Sequence, residues 1–201
     1  MARPSVEAER REQILSATRS VVAEKGFKAM RVADVAARSG ISSGTIHYYF
    51  DTKRDLMHAA FEWNFENSEA RRAALLEDID DPSERLRMLL ASYLPADDLL
   101  IESWHLWCSL WVEAIHEPDL QELNEKVYGE WRRGMAAIIR DGQLRGRFVD
   151  GDPVLLTNAL ISMVDGLAIQ VLMSSRSMTL DRMRATCDGV VDLLTLPAAA
   201  G

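Results

Sequence analysis

The sequence is poor in cysteine, and it lacks the features of secreted and membrane proteins. Its two cysteines, Cys108 and Cys187, lie in separate amphipathic stretches without a CxxC pattern. We therefore expect no disulfide and a reducing compartment. The N-terminus has no apolar signal-peptide core, and no segment contains the roughly 18 continuous apolar residues of a membrane span. These absences predict a cytoplasmic protein without a membrane partner.

The chain also lacks the patterns of β-strands and of enzymes. Alternating β-branched runs with hairpin turns are missing, and so are internal repeats. No recognisable motif places a nucleophile beside a base, pairs an acid with a base, or forms a phosphate-binding glycine loop. The segment DGD at 150–152 is better explained as a turn before a helix that begins at Pro153. We therefore predict no enzyme, no metal and no cofactor.

Helical periodicity runs through the chain instead. Apolar residues recur at helical spacing, and capping or turn residues divide the chain into about nine helices. Gly26 is expected to end the first helix, and Thr52 and Asp55 have the spacing of a capping box at the start of a long fourth helix. The predicted fold is all-α, with a three-helix head at 1–52 and a helical body at 53–196.

The formal net charge of −8 conceals an asymmetry between the two ends of the chain. Residues 1–56 carry ten basic against seven acidic residues, a net +3, whereas the remainder carries thirteen against twenty-four, a net −11. A weakly basic head therefore precedes a strongly acidic body. This distribution permits a nucleic-acid ligand that the total charge would disfavour.

The stretch GISSGTIHYYF, residues 40–50, is unlike ordinary helix sequence. On a helix through Ile46, the side chains of Ser42, Tyr49 and Phe50 share the inward face. The opposite arc combines hydrogen-bonding side chains with a glycine that permits close approach, and it contains Ser43, Gly44, Thr45, His47 and Tyr48. Together with the turn and short helix before it, the stretch has the dimensions of a helix-turn-helix, whose second helix lies in the DNA major groove.

Basic residues flank this motif on both sides. Lys28 and Arg31 precede the second helix, and Lys53 and Arg54 begin the fourth. Cations at these positions are suited to holding the phosphate backbone, while the outward arc contacts base edges. The alternative is a pair of packed helices joined by a glycine turn, with no DNA ligand.

The segment VADVAARSGISSGTIHYYFDTKRDL, Val32 to Leu56, resembles the TetR family of one-component transcriptional regulators. The resemblance implies a three-helix DNA-binding head, a helical ligand-binding body, a homodimer formed by the last two long helices, and repression relieved by a small effector. It places these residues at DNA-contacting positions: Ser43, Gly44, Thr45, His47, Tyr48, Tyr49 and Lys53. Two positions depart from the family pattern, because Arg31 replaces a threonine that caps the second helix and His47 replaces the first aromatic of the YxYF-like element.

The stretch ESWHLWCSLWVEAIHEPDL resembles the C-terminal domain of regulators related to choline-responsive repressors of the betaine pathway. Trp104, Trp107 and Trp111 follow the i, i+3, i+7 spacing that any core helix shows, and the alternative is an aromatic pocket wall with Glu113 or Asp165 as a charge partner. A cationic or quaternary ammonium ligand is conceivable through cation–π contact, and a neutral apolar ligand suits the same aromatics.

A transition-metal site is a further alternative in the same stretch. His105 and Cys108 lie three residues apart on one helical face, and His116 is a candidate third ligand. A metal- or small-molecule-binding sensor or enzyme, or a protein-interaction module, thus stands beside the regulator hypothesis. A turnover assay or a bound cofactor, and the retention of an operator in a gel shift, would separate these classes.

The eighth predicted helix, about Pro153 to Met173, is apolar over most of its circumference. One partner face cannot cover all of it, so we expect the last two helices to meet their symmetry copies in a four-helix interface. The predicted interface residues are Leu160, Met163, Leu167, Val171, Met183, Val190 and Leu194. The alternative is a deeply buried helix in a monomer.

Overall fold

A computed structural model describes residues 5–197, and these residues form nine helices. The helices are α1 Val6–Ala29, α2 Val32–Ser39, α3 Ser43–Tyr49, α4 Lys53–Leu76, α5 Pro82–Ala91, α6 Asp98–Ala114, α7 Pro118–Leu144, α8 Pro153–Leu172 and α9 Leu180–Leu194. Within the described range the only extended pairing is an isolated bridge between Phe148 and Thr195. The all-α prediction is confirmed. Residues 1–4 of the predicted head lie outside the described residues.

Short polar side chains begin several helices, as the capping rules predict. Thr52 and Asp55 form a reciprocal box at α4: the Thr52 amide donates to Asp55 Oδ2 and the Asp55 amide donates to Thr52 Oγ1, both at 3.0 Å. At α8 the Asp152 carboxylate accepts from the amide of Val154 at 2.8 Å, with Pro153 in the first turn. These caps explain why the punctuation in the sequence locates helix starts so well.

Gly26 behaves differently from the expectation that it ends the first helix. Its backbone has φ 72° and ψ 158°, which a glycine adopts without a Cβ penalty. Helical backbone resumes after it, so α1 continues across a kink to Ala29. The interruption of the helix at Gly26 was predicted correctly, but the end of the helix, at Ala29, was not.

The described chain divides into two compact units. The first unit contains Met1–Glu69 and Ile101–Asn124, and the second contains Ala70–Leu100 and Glu125–Gly201. The first unit therefore includes most of α4, most of α6 and the start of α7 as well as the three head helices. The division at residue 52 into a DNA-binding head and a ligand-binding body stays a prediction.

In the first unit, α1 packs on α2 and α2 packs on α3. Ile14, Val35, Ile46 and Phe61, one from each of the first four helices, are all buried. Burial of such side chains is the main stabilising term for a small helical domain, about 1.5 to 3 kcal/mol each. This core fixes which face of α3 is turned inward.

In the second unit, α9 packs on both α5 and α8. Gly142 on α7 lies directly against the buried Phe148 ring. A Cβ added at this glycine would lie 2.1 Å from Cδ2 of that ring. The α5 residue Arg87 donates to the carbonyl oxygen of Asp188 at 3.0 Å and pairs with Asp192, both on α9. In this unit α9 thus contacts both α5 and α8.

Two residues predicted at the dimer interface lie in the interior of the single chain. Leu160 is 2 % exposed and Met183 is 0 % exposed, because both contribute to the core of the second unit. They present no surface to a second copy, so the interface prediction is corrected at these two positions. The remaining five predicted residues are half-buried.

The helix α8 is long and apolar enough to cross a membrane by length and composition, and 33 % of its most apolar window is buried within the chain. One such helix is weak evidence for a span, since core helices of globular proteins pass the same test. Asp165, in the fourth turn of α8, is an ionisable residue within this apolar helix. The unburied apolar surface of α8 is free to contact a partner.

Candidate nucleic-acid interface and effector site

The segment from α2 to α3 has helix-turn-helix geometry. Gly40 ends α2 with φ 70°, the left-handed conformation that the sequence predicted for this turn. Ser42 then caps α3, because its hydroxyl accepts a hydrogen bond from the amide of Thr45 at 3.1 Å. The turn is therefore short, and α3 begins immediately after it.

The inward and outward faces of α3 separate as expected, with one exception. Ile46 and Phe50 are buried, and Tyr49 is half-buried against Tyr48 in an edge-to-face contact of 5.4 Å between ring centroids. Ser42 is exposed, because it lies before the helix as its cap and does not share the inward face. The prediction applied helical periodicity to Ser42, which lies one residue before the first residue of α3.

The outward arc of α3 is solvent-accessible. Tyr48 is 79 % exposed, and His47 and Gly44 are exposed beside it. Ser43 is half-buried, as is Thr45, whose Oγ1 shares a hydrogen bond of 2.8 Å with Ser42 Oγ. An exposed phenol and imidazole on a short helix supply both donors and acceptors for base edges.

The four cations near α3 differ in their surroundings. Lys28 and Arg31 are exposed. The half-buried Lys53 holds its Nζ 4.4 Å from the centroid of the Phe27 ring and donates to the carbonyl oxygen of Lys28 at 3.2 Å. Burial lowers the pKa of Lys53. Arg54 is engaged by carboxylates, at 2.9 Å from Glu117 Oε2 and 3.1 Å from Asp119 Oδ2.

Arg31 takes the capping position of α2 without a capping hydroxyl, as the departure from the family pattern predicts. Its amide donates instead to Asp34 Oδ2 at 3.0 Å, and Lys25 donates to Asp34 Oδ1 at 2.7 Å. The Lys25 contact, followed by the Arg31 amide, lowers the pKa of the Asp34 carboxyl. The start of α2 is thus held by a carboxylate inside the helix.

The three tryptophans of α6 belong to the first unit. Trp104 is buried and lies edge-to-face against the half-buried Trp111 at 6.2 Å, and Trp107 packs against Phe61 at 6.0 Å. Glu113 Oε1 lies 3.9 Å from Lys28 Nζ in the same unit. Asp165, the other predicted charge partner, belongs to the second unit. Much of the tryptophan stripe thus packs inside its own unit.

The second unit contains an aromatic series that ends at Asp165. The rings of Tyr93 and Trp131 have centroids 4.5 Å apart, and those of Trp131 and Tyr128 are 5.6 Å apart. The Tyr128 hydroxyl donates to Asp165 Oδ2 at 2.7 Å. The sequence analysis missed Tyr93, Tyr128 and Trp131, although Tyr128 and Trp131 have i, i+3 spacing and Asp165 is the one acidic residue in apolar α8.

Asp165 is a half-buried acid whose hydrogen bonds are only partly satisfied. Burial raises the pKa of its carboxyl to about 6, and the Tyr128 hydroxyl and the Arg132 charge oppose that rise. Its Oδ1 is buried and forms no hydrogen bond within the described residues. Ionised Asp165 is therefore a buried negative charge for which a cation would be a favourable neighbour.

Among the described residues, no group of three or more His, Cys, Asp or Glu side chains is arranged to hold a metal ion. His105 and Cys108 are half-buried on α6, and His116 is exposed beyond its end. Cys187, in the core of the second unit, has its thiol pKa raised to about 11 by burial. A thiol of this kind is unreactive at neutral pH.

Two family models match the sequence. The model of bacterial regulatory proteins of the tetR family matches residues 14–60. The model of the C-terminal part of BetI-type transcriptional repressors matches residues 82–196. Together the matches cover both the helix-turn-helix and most of the remaining helices.

Similar proteins extend along the whole chain. An HTH-type transcriptional regulator BetI from Stenotrophomonas maltophilia is 25 % identical, and the match covers 100 % of both chains. A transcriptional regulator from Saccharomonospora viridis, solved in complex with choline, is 33 % identical with a TM-score of 0.89, covering 94 % of this chain and 99 % of that one. A TetR-family regulator from Rhodococcus sp. is 25 % identical with a TM-score of 0.82 over the same shares.

An outward-facing helix that follows a tight turn on a buried three-helix core defines a DNA-binding protein of the helix-turn-helix class. The chain belongs to the TetR family, and its residues 82–196 are of the BetI type. It is a ligand-responsive transcriptional repressor. The family match does not favour a metal-binding sensor, an enzyme or a protein-interaction module.

Proposed function

We propose that this repressor is released from its operator by a quaternary ammonium compound of the choline class, bound in the second unit by Tyr93, Tyr128, Trp131 and Asp165. The observation that carries the proposal is the Asp165 carboxylate at the end of a series of aromatic rings, with its Oδ1 buried. The Saccharomonospora viridis regulator, 33 % identical, was solved with choline. That protein's ligand supports the same chemical class here.

A quaternary ammonium group has no N–H donor, so a protein recognises it by ring faces and by an unneutralised negative charge. The rings already attract cations: the Arg72 guanidinium lies 4.6 Å from the Tyr93 centroid, and that of Arg132 lies 5.3 Å from the Tyr128 centroid. Asp165 Oδ1 can accept a hydrogen bond from a ligand hydroxyl, which choline has. The aromatic series and the acid thus match both ends of such a molecule.

Calorimetry with choline and with 3,3-dimethylbutan-1-ol tests the ligand class, because the alcohol keeps the shape and hydroxyl of choline but replaces nitrogen with carbon. We expect choline to bind at least tenfold more tightly, a difference of about 1.4 kcal/mol, and to release the protein from DNA. Trp131→Ala and Asp165→Asn should each remove that preference. Equal affinity for the two compounds would show that the ligand is neutral and apolar.

The tryptophans of α6, with Glu113 as their charge partner, form a second candidate wall for the effector pocket. Trp107 and Trp111 are half-buried and therefore partly accessible to a ligand. A Trp107→Ala variant distinguishes the two candidates in the same calorimetry. If Trp107→Ala abolishes choline binding while Trp131→Ala does not, the effector site belongs to α6.

The DNA-bound state is proposed to be a homodimer on a two-fold symmetric operator. In this arrangement His47 and Tyr48 contact base edges, and Ser43, Thr45 and Tyr49 contact the sugar–phosphate backbone or bases beside the closely approaching Gly44. Lys28, Arg31 and Lys53 hold phosphates. Two α3 helices must then lie about one helical repeat, roughly 34 Å, apart. The proposed location is the cytoplasm, where the operator is found.

The dimer is proposed to form through the outer faces of α8 and α9. Leu155 and Leu193 are exposed on these helices, beside the half-buried residues of the predicted interface: Met163, Leu167, Val171, Val190 and Leu194. Large exposed apolar side chains on two helices that pack together are typical of a surface that a second copy covers.

A further inference from the structure

Three acidic residues at the junction of α6 and α7 lie against two cations that flank the proposed DNA-binding helix α3. We name Glu113, Glu117 and Asp119 the acidic clasp. Arg54 Nη2 lies 2.9 Å from Glu117 Oε2 and 3.1 Å from Asp119 Oδ2, and Lys28 Nζ lies 3.9 Å from Glu113 Oε1. All of these residues belong to the first compact unit. Both cations flank α3, on its two sides in the sequence.

The ion pairs of the acidic clasp border a cavity and are not part of a packed core. Lys53, Arg54, Glu113 and Glu117 line a cavity of about 310 Å³, together with Phe27, Met57, His58 and Leu120. The side chains of Arg54 and Glu117 are 45 % and 44 % exposed, and that of Asp119 is 71 % exposed. Exposed ion pairs of this kind stabilise a fold by only about 0 to 1 kcal/mol each. The pairs can therefore separate without loss of the core.

We infer that the acidic clasp competes with DNA phosphates for Arg54 and Lys28, so that the free repressor holds backbone-binding cations in internal ion pairs and releases them to the operator. The inference rests on the proposed DNA face, with Arg54 added to the cations that hold phosphates. A guanidinium recognises a carboxylate and a phosphate through the same N–H donors, and the Nη2 group of Arg54 already serves two carboxylates. The carboxylates also repel an approaching phosphate.

The clasp consequently sets the operator affinity below the value that the head alone would give. The clasp residues touch no DNA themselves, so they act as positioning residues through Arg54 and Lys28. Their removal should strengthen binding, which is the opposite of what loss of a DNA contact does.

The test measures binding of the full chain to a duplex that the wild-type protein selects from a random-sequence pool. Glu117→Gln/Asp119→Asn should bind this duplex about two- to tenfold more tightly than wild type, within the limit of about 30-fold that two exposed ion pairs allow. The control is Glu122→Gln, an exposed acid on α7 that forms no ion pair within the described residues. The control removes one negative charge against two in the clasp variant, so a general charge effect predicts about half the change in binding free energy, and the competition predicts a smaller change than that in the control.

The same clasp substitutions in an Arg54→Ala background decide between competition and a general charge effect. Arg54→Ala should weaken binding, and the clasp substitutions should give no further gain in it. A gain as large as in the wild-type background, or no gain in the wild-type background, overturns the competition. If Arg54→Ala binds like wild type, the assignment of Arg54 to the phosphate backbone fails, and the inference fails with it.

Discussion

The Tyr128 hydroxyl donates a hydrogen bond of 2.7 Å to Asp165 Oδ2 and so joins α7 to α8 within one compact unit. The bond satisfies one carboxylate oxygen and leaves the other buried without a hydrogen bond in the described part of the chain. Burial of an ionised group that is only partly satisfied costs stability in the absence of a ligand. The free repressor should therefore be less stable than a variant in which residue 165 carries no charge.

Asp165→Asn should raise the free energy of unfolding at pH 8 by up to about 3 kcal/mol. The folded pKa of Asp165, about 6, exceeds its ordinary value of 3.8. Between these pH values the folded state binds more protons than the unfolded state, so stability falls as the pH rises through this window. Urea denaturation at pH 8 and near pH 4 measures the gain, which should vanish at the lower pH.

Asp150→Asn, at an exposed position in the same unit, is the control and should change the stability little at either pH. If Asp165→Asn were less stable than wild type at pH 8, the ionised carboxylate would already be compensated. It would then have no need of a cationic ligand.

Tyr48→Ala should cost about 1 to 3 kcal/mol of specific operator binding if the exposed phenol contacts a base edge, and His47→Ala the same. Lys53→Ala should instead weaken binding to all sequences similarly, because a phosphate contact carries no sequence information. Fluorescence anisotropy with the selected duplex and a scrambled duplex separates the two effects. Unchanged affinity in all three variants would exclude α3 as the recognition helix, and Tyr48→Phe tests the hydroxyl alone.

Leu193→Glu should convert the proposed dimer to monomers, because Leu193 is 79 % exposed on α9 in the single chain and its partner would bury the new charge. Leu144→Glu is the matched control: Leu144 is 88 % exposed at the end of α7, outside the proposed interface. Sedimentation velocity at micromolar concentration reports the mass. A dimeric Leu193→Glu protein, or a monomeric wild type, would place the interface elsewhere or remove it.

Gly142→Ala and Gly134→Ala should change stability in opposite directions, although both glycines lie within α7. A Cβ at Gly142 would lie 2.1 Å from Cδ2 of Phe148, and the buried ring must shift, which costs about 1 to 3 kcal/mol. A Cβ at Gly134 meets no described atom within 4 Å, so alanine should add about 0.5 to 1 kcal/mol of helix stability. Thermal unfolding of both variants shows whether this part of α7 packs on Phe148 as described.

Local sequence rules located the helices and the buried side of α3 well. The spacing of Ile46 and Phe50 predicted the buried side of α3, and Thr52 with Asp55 predicted the start of α4, because both signals act within one or two helical turns. The resemblance of Val32 to Leu56 to one family added the function of that face. Ser42 and Gly26 were assigned less well, since the residue where a helix starts or ends depends on a few competing local hydrogen bonds.

What only the tertiary structure decided is which distant residues meet. Periodicity shows that Leu160 and Met183 are apolar and face a partner, but it cannot distinguish a partner within the chain from a second copy, because both bury the same surface. The series from Tyr93 through Trp131 and Tyr128 to Asp165 joins α5–α6, α7 and α8 segments, and the pairing of Arg54 with Asp119 spans 65 residues. Such contacts depend on how helices pack, and packing is chosen by the whole core, so no local pattern in the sequence specifies them.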